Sequence, residues 1–536
     1  MLDSISNVLY WFINLLILIA GVIYSIKIWD DKLRTLKGVA LFLGGFLWHF
    51  FRALFNYLTN RCEPIDAQDS FFVLASQCIP ATSFDIILAQ IAIFVGLFII
   101  IAEIYSRSTS HFYAGLDLGT SGCRITVIDK ASSIKYTQSI AYKENIKQTP
   151  ELWWDSVTTL LMGLPPEIKE DLVSIAVDGT SGSILLVDAK GNPTSSVLMY
   201  NDLRATEEAE KIKKVLSSNN GGQGVSSSLA RLLWLLEHEP NAAHCHAVHQ
   251  ADYILGKLSN NYQVSDENNC LKLGYDVIER CWPKNSLKKL GIDLSLLPRV
   301  YPAGTSIAKM KEGQAKVFGF LKPIEIITGT TDSIAAFIAT GADNVGEAVT
   351  SLGSTLVLKV VADKPIFSSK HGVYSHRLND LWLIGGASNS GSKVLLAYFT
   401  LEEIKEMTPQ IDPERSTGLA YYPLLTVGER FPIADSKKKP ILYPRPESDI
   451  DFFQGMLEGI ANIEQLAYTK LQELGAPEVK SIRSVGGGAS NKAWTQIRKY
   501  KLKRKMIEPK QTEAAYGSAL LAKSGYTTAY TRNTHD

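Results

Sequence analysis

The chain has 536 residues, and 55 Lys and Arg against 54 Asp and Glu leave a formal net charge of +1. That balance, without a polybasic or low-complexity tract, argues against a nucleic-acid partner. The length provides for two soluble domains with proper cores beside whatever the N-terminal region forms.

The first elements are apolar. Val8–Ile26 is an uncharged run of 19 residues, close to the ~20 a membrane-spanning helix needs. Ile86–Ala102 is a second such run, and Gly38–Leu58 a third, broken only by Arg52 near one end. They predict three transmembrane helices at about 8–28, 37–58 and 85–105. Two spans with a surface helix are the alternative. The start, MLDSISN, lacks the basic region of a cleaved signal peptide. Lys27, Lys32, Arg34 and Lys37 crowd the first connection, whereas Thr59–Asp85 holds only Arg61. The positive-inside bias therefore puts the first connection, and all that follows residue 105, in the cytoplasm. The expectation is an integral membrane protein, anchored through its N-terminal helices, with its catalytic part cytoplasmic. Cys62 and Cys78 then face an oxidising space in which a disulfide persists, unless both are free thiols.

Next comes GLDLGTSGCRITVID, Gly115–Asp129: two strands around a small polar turn, with Asp117 inside the first strand. A strand sheds a buried carboxylate unless a cation or a reaction holds it there. The turn offers free backbone N–H groups and two hydroxyls, a set that suits a phosphate, and a Mg²⁺ on that phosphate accounts for the acid. Taken alone, such a segment is usually only a hairpin. AVTSLGSTLVLKV, Ala348–Val360, repeats it, which predicts a duplicated architecture with a nucleotide between the halves. No P-loop and no dinucleotide fingerprint appears.

IEIITGTTDSIAAFIATGA predicts a strand over Ile324–Gly329, a polar turn, and a helix opening after Asp332. A carboxylate at a helix N-terminus is stabilised in its ionised form, as a base requires, although an N-cap role is the ordinary alternative. RSVGGGASNKAWTQI places Gly486–Gly488 before a helix starting near Ser490, a loop of close approach fit for a nucleotide's sugar and base. EAAYGSALLA, Glu513–Ala522, reads as a small-residue helix packed beneath that loop. The cluster His244, Cys245, His246 and His249 invites a zinc site but lacks the spacing for one.

Taken in order, GLDLGTSGCR, VDGTSGSILLVD, YNDLRA, GTTDSIAAFIATGA, TSLGSTLVLKV, GGGASN and EAAYGSALLA resemble the FGGY family of carbohydrate kinases, in the actin-like ATPase superfamily, over about residues 112–524. The resemblance implies an α/β fold: two RNase-H-like domains around a cleft, about 112–345 and 346–524, preceded by the all-α membrane region 1–110. It implies ATP and Mg²⁺ and phosphoryl transfer to a small sugar. Asp332 matches the catalytic base, and Asp117 the acid associated with the metal; both adjoin substrate and metal. Thr120, Ser121 and Gly122, with Arg124 just after, match the first phosphate turn, and Gly353 and Ser354 the second. Gly486, Gly487 and Asn491 match the adenosine loop. Asp178 falls where the family reads its sugar, with Asn201, Asp202 and Arg204 nearby. The DGTSG form looks like the ribulokinase-type branch, which favours a ketopentose, D-ribulose before D-xylulose. The rival expectation is a membrane-anchored sugar- or ATP-sensing module on a degenerate kinase fold, and a homodimer is left open.

Overall fold

The computed structural model describes residues 111–239 and 245–533, together with Gly96. Strands β1 (Phe112–Leu118), β2 (Gly122–Ile128), β3 (Ile134–Ala141), β4 (Leu172–Gly179), β5 (Ser306–Lys309) and β6 (Glu325–Thr331) form one sheet in the order β3-β2-β1-β4-β6-β5. A second sheet holds β7 (Glu347–Leu352), β8 (Leu356–Ala362), β9 (Tyr374–Leu378), β10 (Leu381–Ser388), β11 (Ser481–Val485) and β12 (Lys505–Ile507), ordered β9-β10-β8-β7-β11-β12. Both sheets share one plan. An antiparallel hairpin, β1–β2 or β7–β8, continues with a third antiparallel strand on one side and parallel strands on the other. The repeated hairpin of the sequence is thus a repeated sheet.

Parallel strands are covered on both faces, so they read as near-continuous apolar runs. β1 and β4 are buried almost throughout. One cover is α1 (Pro150–Met162), whose Trp153, Val157, Leu160 and Leu161 join Leu116 and Ile125 in the first core. α2 (Ser228–His238) packs in a separate core with Ile184 and Leu186, while around the first sheet lie α3 (Gln250–Ser259), α4 (Glu267–Leu271) and α5 (Asp332–Ala339). The second sheet is backed by α6 (Asp449–Glu473) and α7 (Lys492–Leu502), through Phe453, Leu457, Ile460 and Trp494.

The last helix, α8 (Ala514–Asn533), departs from expectation. Instead of lying beneath the glycine loop, it crosses the first sheet. The cause is a set of backbone contacts that only glycine permits. A Cβ on Gly115 of β1 would lie 2.0 Å from the Ala515 carbonyl oxygen, and one on Gly517 would lie 1.8 Å from that of Ala335 in α5. Ser174 Oγ also donates to the Ala522 carbonyl at 2.9 Å. The chain therefore passes between the sheets twice, after α5 and before α8. The two crossings are joined by Lys510 N–H to the Thr340 carbonyl and Gln511 N–H to the Ala339 carbonyl, both 3.1 Å.

The expectation of an integral membrane protein is corrected here. Among the described residues no helix is long and apolar enough to cross a membrane. The two of sufficient length, α6 and α8, owe their burial to protein contacts, and α6 carries Glu458 and Glu464 into the interior. The apolar runs 8–26, 38–58 and 86–102, Gly96 apart, and the Cys62–Cys78 pair lie outside the described residues, as does His244.

Candidate active site

The first turn follows from β1 and β2. Gly119 N–H donates to the Gly122 carbonyl at 2.9 Å, which leaves Thr120 and Ser121 exposed at the tip. Gly122 is required because a Cβ there would meet the Ile140 carbonyl at 2.3 Å. Asp117, one strand residue before the turn, is 4 % exposed. Arg124 Nη1 stands 3.3 Å from its Oδ2 and 3.4 Å from Glu513 Oε2, so one guanidinium joins the hairpin to the residue preceding α8.

Asp178 is the largest departure from the predicted site. The sequence puts it on the sugar-reading wall, but the structure buries it completely. The parallel register sets it beside Asp117 on one side and Thr330 on the other. Its Oδ2 accepts from Ser518 Oγ of α8 at 2.6 Å, while Oδ1 finds no protein donor. Burial raises both carboxyls. Asp178's hydrogen bond and the Arg124 charge pull Asp117 back down, whereas the Asp117 charge drives Asp178 further up. Of the two, Asp178 is the carboxyl held well above the ordinary range, by complete burial and then by the Asp117 charge.

Asp332 begins α5. The polar turn expected before it is absent: Thr330 and Thr331 pair with Asp178 and Gly179 of β4, so β6 runs straight into the helix. The N-cap is Thr331, and Asp332 Oδ1 accepts from Ser333 N–H at 2.6 Å. Burial pushes the Asp332 carboxyl up to about 6, and the Asp117 charge adds to that, against the Ser333 N–H and the Lys359 and Lys272 ammonium groups. Lys359, from β8 of the second sheet, donates to the Ser333 carbonyl at 2.9 Å. Burial lowers its ammonium to about 8, opposed by the Asp332 charge. His376 of β9 is buried beside this group and held well below the usual imidazole range by burial, then by Lys359 and Lys272.

In the second sheet, three loops meet at the β7–β8 turn. A Cβ on Gly391 would lie 2.6 Å from the Ser354 carbonyl oxygen, and one on Gly486 would lie 3.0 Å from the Leu352 carbonyl carbon. Both glycines have positive φ, +151° and +84°. Gly353 and Gly487 face the other way: a Cβ at Gly487 meets nothing within 4 Å, and one at Gly353 nothing nearer than 3.7 Å. Ser390 Oγ is buried at this junction without a partner. Asn491, expected to touch adenosine, instead caps α7: its Oδ1 accepts from Trp494 N–H at 2.9 Å and its Nδ2 donates to Thr408 Oγ1 at 3.0 Å.

The loop after β4 holds the remaining candidates. Tyr200 Oη lies 3.5 Å from Thr120 Oγ1, which brings YNDLRA to the first turn. Asn201 is exposed; Asp202 and Arg204 pair with each other at 2.9 Å, and Arg204 sits over Trp234 at 4.8 Å. What holds this loop is Arg231 of α2, wholly buried, with donors on the Tyr200, Asp202, Gly182 and Ser226 carbonyls. Burial lowers its guanidinium to about 10. Lys272, Lys359 and Arg231 are the functional-looking residues that motif spacing misses. The signal for the two lysines is a charge inside an apolar run, Leu271-Lys272-Leu273 and Leu358-Lys359-Val360.

Among the described residues no group of three or more His, Cys, Asp and Glu side chains is arranged to hold a metal ion unaided. His249, of the cluster that invites a zinc site, is bonded to Asp252 at 2.8 Å and Ser228 at 3.1 Å.

Two family models match the chain: the FGGY family of carbohydrate kinases, N-terminal domain, over residues 112–339, and its C-terminal domain over residues 348–526. A xylulose kinase of Staphylococcus xylosus is 23% identical over 451 residues, covering 77% of this chain and 91% of that protein. A gluconokinase of Bacillus licheniformis is 21% identical over 445 residues, 76% and 86% of the two. Among solved structures, a xyloylose kinase from Brucella ovis superposes with a TM-score of 0.71 at 23% identity, over 78% of this chain and 91% of that one.

Proposed function

Because the chain belongs to the FGGY family of carbohydrate kinases, and is thereby a sugar kinase, we propose that its acceptor is a ketopentose, D-ribulose before D-xylulose. Asp332 serves as the general base in this reading. The observation that carries it is the placement of Asp332 at a helix start, beside Asp117 of one phosphate hairpin and beside Lys359, which reaches over from the other sheet. The acceptor O–H gives its proton to the Asp332 carboxylate as its oxygen bonds to the γ-phosphorus of ATP. The bond from that phosphorus to the bridging oxygen breaks, and ADP leaves. A carboxylate near pKa 6 is ionised at pH 7 yet basic enough to take a hydroxyl proton as it is released.

The other chain groups position and neutralise. Thr120 and Ser121 at one turn, and Gly353 and Ser354 at the other, present N–H groups and hydroxyls to the phosphates. The open face at Gly487 gives room for the adenosine, and Ser390 Oγ, buried without a partner, is a spare donor beside the second turn. Family members use ATP with Mg²⁺. Asp117 and Asp332 fit that ion: two carboxylates are too few for a protein-only site, and Mg²⁺ takes one or two carboxylates with phosphate and water oxygens. When bound, it neutralises charge on the phosphates. Repetition of one sheet plan in both halves supports the RNase-H-like pair, with domains near 112–345 and 346–524. By packing, α8 goes with the first of them.

Support for a pentulose comes from the DGTSG block and the xylulose kinase relative; the gluconokinase relative pulls toward a sugar acid. The test is ADP release by the full chain with ATP·Mg²⁺ and a panel of pentuloses, pentitols and aldonates. Turnover highest on a ketopentose is expected. A chain that binds ATP yet is inert on every sugar overturns the kinase reading in favour of a sensing module.

The paired crossings at Thr340 and Lys510 are the narrowest covalent link between the sheets, and both halves face the phosphates. Sugar with a non-hydrolysable ATP analogue is expected to close the cleft about this link and exclude water. Small-angle scattering should record a smaller radius of gyration; an unchanged radius counts against closure.

A further inference from the structure

We propose that Lys272 is the specificity residue of the acceptor site, reading an unprotonated C=O oxygen of an open-chain sugar, either a ketone or a carboxylate. The inference rests on the kinase reading above and deepens it. Asp178 is buried on Ser518, and Asp202 is paired to Arg204 at the surface, so both of these acids expected to read the sugar already hold protein partners. Lys272 is on the same wall and keeps donors that meet no protein acceptor.

Its position is fixed at both ends. The residue closes α4 between the buried Leu271 and Leu273, and its carbonyl accepts from Leu229 N–H at 3.0 Å. The stem runs past Gly182, whose positive φ of +93° keeps a side chain away; a Cβ there would stand 3.5 Å from Lys272 Cδ. The ammonium ends 3.4 Å from the Ser181 carbonyl, in the turn that follows β4. Such a contact is at the outer limit of a hydrogen bond, and an ammonium has three donors. At least two N–H groups therefore meet no protein acceptor, on a half-buried cation set at the turn after β4, and its charge and that of Asp332 act on each other. The electrostatics agree: burial lowers the Lys272 ammonium, the Asp332 charge raises it, and Arg231 lowers it again.

An ammonium donates and cannot accept. It discriminates between a C=O oxygen, which only accepts, and a hydroxyl, which must also place its own proton. A half-buried ammonium is poorly hydrated on its inner side, and an acceptor oxygen without a proton supplies a partner there. Two other roles compete. A lysine that only held the Ser181 turn, or only tuned Asp332 through its charge, would act on all acceptors alike. The discriminating quantity is therefore the difference between a carbonyl sugar and its reduced polyol, which has the same hydroxyls otherwise.

The experiment compares the full wild-type chain with Lys272→Met and Lys272→Arg. D-ribulose is set against ribitol and gluconate against glucitol, each measured as a substrate or, where not turned over, as a competitive inhibitor. In Lys272→Met, kcat/KM for the carbonyl-bearing sugar is expected to fall roughly 10–100-fold further than that for its polyol, mainly through KM, on top of whatever loss the Asp332 charge imposes on both alike, with KM for ATP changed less than about threefold. Lys272→Arg should recover part of the loss. The pair that shows the larger difference identifies the source of the oxygen, ketone in one case and carboxylate in the other. Equal losses for sugar and polyol, or no loss, overturn the inference while leaving the kinase reading intact. An inert wild-type chain overturns the kinase reading itself, and this inference with it.

Discussion

Asp332→Asn will lower kcat by roughly 10²–10⁴-fold while leaving the affinity for metal-free nucleotide nearly unchanged, because an amide cannot accept the acceptor's proton. Asparagine keeps the size and the oxygen that receives Ser333 N–H, so the start of α5 is preserved. In the wild-type chain, kcat/KM should rise with pH and level off above an apparent pKa near 6, the value to which burial and the Asp117 charge push this carboxyl. The stability linkage runs the opposite way. A carboxyl whose folded pKa exceeds its unfolded value stabilises the fold most below the unfolded pKa, and that contribution is lost as pH rises through about 6. At pH 8 the wild-type chain therefore carries an unfavourable charge that asparagine lacks, and the variant should melt at the same temperature or higher. Calorimetry and a pH–rate profile check the two halves. Full turnover in Asp332→Asn, or a rate independent of pH between 5 and 8, would remove the base assignment.

How much of this is legible in the sequence depends on whether a residue is at odds with its own segment. Asp117 is conspicuous because a carboxylate inside GLDL has no packing reason to be there, and the repeated small polar turn announces the second hairpin. Lys359 has the same mark inside TLVLKV, but a lysine stem in a strand also reads as a solvated edge residue, so its approach to Asp332 emerges only from the pairing of β8 with its neighbours. Asp178 misleads for the converse reason. An acid in an apolar strand signals a partner without saying which, and here the partners are Asp117 and Ser518, from segments far apart in the chain. The turn expected ahead of Asp332 fails because threonines, polar by composition, are β-branched and fit the buried interior of β6. Arg231 looks like the wet face of an ordinary helix, and only the carbonyls brought to it from three loops reveal otherwise. Long apolar runs report composition without tertiary context, and the anchoring inferred from them finds no counterpart in the described residues.

The second large effect is expected far from the chemistry. Glu464 of α6 and Arg498 of α7 are both fully buried, joined at 2.6 and 2.8 Å, with Thr350 Oγ1 of β7 donating to Glu464 at 2.5 Å and Arg498 donating to Ser484 Oγ of β11 at 2.6 Å. Those two strands lead directly into the β7–β8 turn and the glycine loop, so this pair fixes from behind the loops to which the proposed function assigns the nucleotide. Glu464→Ala strands a guanidinium in the interior and should cost about 3–5 kcal/mol. For a domain of this size that is roughly a 6–20 °C fall in Tm. Well below the transition, the surviving enzyme should show a raised KM for ATP with KM for the sugar little changed, since the first sheet carries none of the four groups. The double variant Glu464→Met with Arg498→Met tests whether the pair stabilises or only avoids harm. Thr350 and Tyr468 keep their mutual hydrogen bond at 2.7 Å without it, so only Ser484 loses a partner. Removing both charges should therefore be milder than removing Glu464 alone, because the dominant penalty is the unpaired charge and not the missing bridge. A Glu464→Ala chain that melts within about 2 °C of wild type would mean that Arg498 finds water, and that the second sheet is less closed than the packing of Trp494 and Leu457 against it requires.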